Sequence, residues 1–401
     1  MKKRLGLILL SVLLIVSLAL IGCAPEKTET NQEDVNQEET AEKGEEVVKI
    51  GWIGSLTGDQ AVWGNCEFNT VKMLVEEANK NGGWLGKKLE AIGYDTRGDS
   101  MEAVNAVRRL TAQDKVIAVL GPNASGQAIS ISAVLEEMNV SDIATVATNP
   151  KVTVDDNGNV KPYNFRVCFI DPYQGAVAAG YAADVLGFKK AAILYDVADE
   201  YSQGLTQFFE EKFKEKGGEI VAKEGFKFGD VDFRPQLSKI KEAEPEIIFM
   251  PYFYKEVALS ANQARDLGID AVLMGGDGWP SEQLLQMAQK SIEGCYFVNH
   301  LDFEDPDVQE FKNMYKEKYD LPVELNGYLV HDAFKLLEHA VKKADSVDTV
   351  KVRDALENAQ MVGITGKINI GKDTHNPEGK DAAIIKIVDG KYVFQQKYSA
   401  E

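Results

Sequence analysis

The chain has 401 residues, with 63 acidic against 44 basic side chains and a formal net charge of −19. Such a charge repels phosphate backbones and excludes nucleic acid as a partner, and the length exceeds one ordinary core while suiting two. No CxxC spacing occurs among the cysteines, so metal binding and dithiol chemistry have no support and no cofactor is expected.

Lys2, Lys3 and Arg4 precede a charge-free apolar run from Leu5 to Ile21, the pattern of an export signal. A membrane span needs about 20 apolar residues, so the run is only marginally long enough for one. Its end decides: Leu20-Ile21-Gly22-Cys23 resembles a bacterial lipobox, which implies cleavage after residue 22 and a lipid on Cys23. Residues 23–46 are mostly Glu, Thr, Asn, Gln and Lys, too polar to bury enough surface to offset ordering. They read as a disordered acidic tether, with acyl chains anchoring the protein to the cell membrane outside the cytoplasm.

A β-branched run at 47–53, closed by Gly54, predicts a strand, and Phe68, Val71, Leu74, Val75 and Ala78 at helical spacing predict a helix stopped by Gly82-Gly83. The alternation continues with a strand at 89–94, a helix through Ala103, Val107 and Leu110, and a strand at 116–120. A helix through Ala128, Ile131, Leu135 and Met138 and a strand at 143–147 follow. This rhythm predicts a parallel sheet covered by helices.

The polar insertion 151–161 interrupts it, with Asp155-Asp156-Asn157-Gly158 as its turn, and a second series begins. Its strands fall at 191–195, 219–222, 247–251 and 271–274. Its helices are marked by Leu205, Phe208, Phe209 and Phe213, by Pro235 in a first turn, and by 258–267 ending at Gly268. Beyond Val298 come helices at 308–319, 328–344 and 347–359 and strands at 366–370 and 383–388. These late helices have too few strands of their own and should return to the first lobe. The expectation is an α/β protein of two Rossmann-like lobes joined by a multi-strand hinge, one lobe 47–166 with 299–378, the other 167–298 with 379–398. After Cys23, Cys66, Cys168 and Cys295 remain; they are three buried thiols, or one disulfide and one thiol.

Several segments in order resemble one family. They are Gly51-Trp52-Ile53-Gly54-Ser55-Leu56-Thr57-Gly58, Tyr94-Asp95, Gly121-Pro122-Asn123-Ala124-Ser125 and Ala147-Thr148-Asn149-Pro150. Arg166 with Asp171 and Gln174-Gly175, and Gly275-Gly276-Asp277-Gly278, complete the set. Across the whole chain after the tether the sequence is similar to the type I periplasmic binding proteins, specifically the branched-chain amino acid group of ABC importers. The resemblance implies a monomer that closes two lobes on an amino acid, branched-chain or otherwise apolar, and is recognised by a permease.

Site residues follow from chemistry and resemblance together. A free amino acid needs donors for its carboxylate and an anion or carbonyl for its ammonium, in a cleft that excludes water. Ser125 follows the strand at 116–120 and opens a helix, whose N-terminus suits an anion; local sequence alone favours a cap of that helix, and the resemblance reverses the preference. Thr148 lies past the strand at 143–147, at the carboxyl end where ligands gather, although its hydroxyl could simply serve the turn before Pro150. In the family the equivalent threonine meets the carboxylate, and the residue at Val146 offers its carbonyl to the ammonium. Asp277 in its glycine-rich turn implies the ammonium's partner, where relatives place an acid. The resemblance further implies Tyr201 as a ring over the ligand, Trp63 as a wall, and Asn123 and Ala124 as pocket lining. One of Tyr252, Phe253 and Tyr254 should reach the ligand, and the match favours Phe253. Val146, Asn123 and Trp63 depart from the family pattern, and Gly126 lacks a hydroxyl some relatives carry.

No enzyme is indicated. No GxGxxG follows the first strand, 82–88 misses phosphate-loop spacing by one position, His300, His331, His339 and His375 are scattered, and Ser125 lacks a GxSxG elbow. A sensory module acting through a partner, or a site for a short amide, urea or small carboxylate, is the alternative reading.

Overall fold

The computed structural model describes residues 47–399, so the expected signal peptide, Cys23 and the whole tether lie outside the described residues. In the first part of the chain, strands β1 (Val48–Gly54), β2 (Leu89–Asp95), β3 (Ala118–Leu120), β4 (Ser141–Ala144) and β5 (Asn164–Arg166) alternate with helices α1 (Ala61–Lys80), α2 (Ser100–Arg109) and α3 (Ser125–Met138). The strands form a fully parallel sheet in the order β2-β1-β3-β4-β5. Side-chain alternation decides its layers. Val48, Ile50 and Trp52 of β1 join one core with α1, whereas Ile53 joins another with Ala103 and Val107 of α2 and Ile131 of α3.

The next stretch holds α4 (Asp171–Gly180), β6 (Lys190–Asp196), α5 (Glu200–Glu215), β7 (Glu219–Phe226), α6 (Arg234–Glu242), β8 (Ile247–Phe249), α7 (Tyr254–Asp266), β9 (Val272–Gly275), α8 (Glu282–Ala288) and β10 (Tyr296–Asn299). On β6, Ala192 and Leu194 face the core made with α6 and α7, while Ala191 and Ile193 face that made with α4 and α5. A strand buried on both faces reads as a continuous apolar run, which is why β6, β8 and β9 were legible in the sequence.

Helices α9 (Pro306–Tyr319), α10 (Leu325–Ala344) and α11 (Thr349–Leu356) then pack in the core of the first sheet, and Gly327 on α10 lets that helix approach Cys66 on α1. Strands β11 (Gln360–Gly363), β12 (Gly366–Ile370) and β13 (Pro377–Glu378) make a small antiparallel sheet. Finally β14 (Ala382–Val388) and β15 (Lys391–Tyr398) complete the second sheet, ordered β15-β14-β10-β9-β8-β6-β7, its first two pairings antiparallel and the rest parallel. The chain passes between the two large sheets at 167–170, 300–305 and 379–381, each segment starting where a strand ends.

Several expectations shift, and helix α8 and strands β10, β11, β13 and β15 had no counterpart in the sequence reading. The strand foreseen at 143–147 runs Ser141–Ala144, leaving Val146 and Thr148 on a loop. Strand β5 was not foreseen: it is three residues long, and its fully buried Arg166 donates through its two terminal nitrogens to Ala147 O, Asn149 O and the Thr153 hydroxyl, while Nε has no partner among the described residues. Helix α4, with its Ala- and Gly-rich sequence, gave no apolar periodicity to read. Cys66, Cys168 and Cys295 are buried free thiols, and burial pushes their pKa values up to about 12, 12 and 11, which keeps them unreactive.

Candidate functional site

The carboxyl ends of the parallel strands of both sheets meet at one narrow, tightly closed cavity. Trp63, Asn123, Ala124, Ser125 and Val146 line it from the first sheet's side, and Tyr201, Phe253 and Asp277 from the second's. These are eight of the nine ligand-binding residues expected from the sequence. Thr148 is not among the lining residues: it is fully buried, its carbonyl accepts the Asp171 N–H at 2.9 Å, and its hydroxyl lies beside the Asp171 carboxyl. The early end of β4 explains the displacement.

Ser125 is the first residue of α3, not its cap. Ala124 occupies the cap position and makes no side-chain bond, so the first N–H groups of the helix are left uncapped beside the cavity. The Ser125 hydroxyl accepts the Asn149 N–H at 3.2 Å, which ties the loops after β3 and β4 together and leaves its proton to donate. That loop is held from below by Arg166.

Trp63 sits in the first turn of α1, and its indole N–H reaches Pro280 O at 3.3 Å, near the second sheet. Its ring meets Phe253 and Tyr254 edge-on, with centroids 5.7 and 4.9 Å apart. Phe253 alone of the three consecutive aromatics lines the cavity; the Tyr252 hydroxyl is engaged with Ser260, and that of Tyr254 with Asp59 O and Gln283. Tyr201 stacks on Phe253 at 5.5 Å, and its hydroxyl accepts the Gly278 N–H at 3.2 Å.

Asp277 follows β9 in the turn Gly275-Gly276-Asp277-Gly278. A Cβ at Gly276 would lie 2.0 Å from Gln174 Oε1 and 2.8 Å from the Tyr201 hydroxyl, so only glycine permits this approach. Asp277 Oδ1 accepts from Gln174 Nε2 at 3.0 Å, its backbone N–H returns to Gln174 Oε1 at 2.9 Å, and Oδ2 lies 2.8 Å from His300 Nε2. Phe169 stacks on the His300 ring at 3.6 Å, so two of the crossing segments meet behind this carboxyl. Burial, with the charges of Asp277 and Asp171, pushes the Tyr201 phenol well above its usual range and keeps it neutral.

Sequence reasoning missed Gln60, Gly278 and Asn326 of the lining and gave no role to Gln174 and His300. Gln174 lay within a quoted motif; His300 looked like a lone histidine, since its partner is 23 residues away in the chain. Behind the wall, the buried Glu67 accepts from Trp52 Nε1, the Thr145 hydroxyl and Asn326 Nδ2 at 3.0, 2.8 and 3.1 Å, and burial pushes its pKa up to about 7. Among the described residues no group of three or more His, Cys, Asp and Glu could hold a metal, and no helix is long and apolar enough to cross a membrane.

Residues 47–391 match the family described as periplasmic binding protein. The Leu/Ile/Val-binding protein BraC3 of Rhizobium johnstonii is 29% identical over 349 residues, 86% of this chain and 93% of that protein. A leucine-binding protein from Thermotoga maritima is 31% identical with a TM-score of 0.81, covering 88% of this chain and 99% of that one. A branched-chain amino acid transporter substrate-binding protein from Streptococcus pneumoniae, solved with isoleucine, is 30% identical with a TM-score of 0.81, over 88% and 100%.

Proposed function

The chain belongs to the periplasmic binding protein family, and on that footing we propose that it captures a free amino acid between two closing lobes and presents it to an ABC importer. The observation that carries the reading is the polarity of the cavity. On one side stand the Ser125 hydroxyl and the uncapped start of α3, which suit a carboxylate; on the other, the buried Asp277 carboxyl suits an ammonium. An α-amino acid bridges the two, and its contacts to the second lobe exist only when the lobes are together, so binding favours closure. The relatives named above, which carry branched-chain amino acid names, support this class of ligand.

The lobes in this reading are 47–166 with 299–378 and 167–298 with 379–398, and the protein acts as a monomer. Tyr201 and Phe253 cover the ligand, and Trp63, Asn123, Ala124 and Val146 bound its side chain. Thr148 supports the loop that presents Val146. Cys23 carries the lipid that holds the protein outside the cytoplasmic membrane, and the ligand is released unaltered. Melting of the full chain in mild detergent, screened against the common amino acids and small amides, tests the assignment, because a ligand that binds only the folded state raises its apparent stability. A rise with one or more amino acids is expected, and a rise only with compounds lacking an α-amino group would overturn it. Cys23→Ala should leave the protein unprocessed or release it from membranes; unchanged fractionation and N-terminal mass would remove the anchor.

A further inference from the structure

Resting on the amino-acid reading above, we infer that Asn123 is a specificity-determining residue that gives the side-chain end of the cavity a preference for a neutral hydrogen-bonding side chain, hydroxyl or carboxamide, over its aliphatic isostere. Asn123 stands on the loop between β3 and α3, two residues before Ser125, is 7% exposed and lines the cavity. Neither its amide nitrogen nor its amide oxygen has a hydrogen-bond partner in the protein. Buried carboxamides are ordinarily satisfied, so one that keeps both a free donor and a free acceptor beside a ligand cavity is poised for a partner that the ligand brings. Gln60 Oε1, 8% exposed at the residue level and lining the same cavity, is likewise without a partner.

Two considerations fix the chemical class. An aliphatic side chain seated here would keep these groups from water without replacing the lost hydrogen bonds, whereas a hydroxyl or carboxamide can both donate and accept. Among the lining residues only Asp277 is charged, so an acidic side chain would find no cation, and a basic one would have to share the carboxylate already committed to the ammonium. Trp63, Val146 and Phe253 add apolar walls to the same cavity, and this suits a short side chain with one polar end. Threonine against valine is then the sharpest comparison, with asparagine against leucine as the carboxamide case, since each pair is close to isosteric.

The test is calorimetric titration of the full chain, in mild detergent, with these four amino acids, repeated on Asn123→Leu, which keeps the branching of the side chain and removes its polar atoms. In the wild type the polar member of at least one pair should bind about tenfold more tightly or better. In the variant that ratio should collapse or invert. Melting curves establish that the variant folds, and the wild-type ranking stands without it. Equal or tighter binding of both aliphatic members by the wild type, or a ratio unchanged by Asn123→Leu, overturns the inference while leaving the amino-acid reading intact. Failure of every amino acid to bind overturns both.

Discussion

His300 and Asp277 form a buried pair, Nε2 to Oδ2 at 2.8 Å, that joins the glycine-rich turn of the second sheet to a segment crossing between the sheets. Burial holds the imidazole below its ordinary pKa, so at neutral pH it is the uncharged ring, and its Nε2–H donates to the carboxylate. With Gln174 on the other oxygen, Asp277 is oriented before any ligand arrives.

Removing the ring should therefore weaken binding without touching the ligand. His300→Ala leaves Oδ2 without its donor, and a loss of about tenfold in affinity is expected, since hydrogen bonds to charged groups contribute roughly 1.5–3 kcal/mol. His300→Gln, whose amide can still donate, should recover part of it. Unchanged affinity in His300→Ala would show that Gln174 alone positions Asp277.

Asp277 and Ser125 should act on opposite ends of one ligand. Asp277→Asn and Ser125→Ala are each expected to weaken amino-acid binding by about tenfold to a hundredfold. An analogue lacking the amino group should bind the wild type poorly, lose little more in Asp277→Asn, and remain sensitive to Ser125→Ala. Calorimetry that finds the analogue equally sensitive to both would place the ligand the other way round or elsewhere.

Closure has contacts of its own. The Tyr254 hydroxyl at the start of α7 lies 2.6 Å from Asp59 O on the loop before α1, and the neighbouring Lys255 pairs with the Asp59 carboxylate at 2.7 Å. Tyr254→Phe removes the first of these while keeping the ring against Trp63. Stopped-flow measurement should show ligand leaving several-fold faster, with little change in association, as holds for most contact deletions. A slowed association with unchanged dissociation would remove this pair from the closed state.

Glu67 gives the stability a pH dependence of known sign. Burial raises its pKa from 4.5 to about 7, so the folded chain holds this proton more tightly than the unfolded chain does. Its favourable contribution is complete below about pH 4.5 and is lost as the pH rises through about 7. Relative to Glu67→Gln, which cannot titrate, the wild-type melting temperature should decline by a few degrees across that window. A difference that stays flat with pH would mean that the three donors around Glu67 fully offset its burial.

The sequence by itself determined most of the alternation in both sheets, because strands buried on two faces are apolar runs and most covering helices carry apolar residues at a spacing of three and four; α4, α8, β5, β10 and β15 were not read from it. It also carried most of the cavity, since Asn123 and Asp277 lie in turns directly after strands and Ser125 opens the helix that follows, where parallel sheets present ligands. Tertiary structure alone decided the rest. Strand β5 is made by its pairing with β4, and its buried Arg166 is accepted by loop carbonyls of which local pattern contains no trace. Thr148 was drawn behind the cavity wall because β4 ends at Ala144, a boundary set by pairing with β3 and β5. The shell around Asp277 comes from Gln174, 103 residues away, and His300, 23 away, and such contacts depend on how the chain crosses between sheets, which no local periodicity encodes.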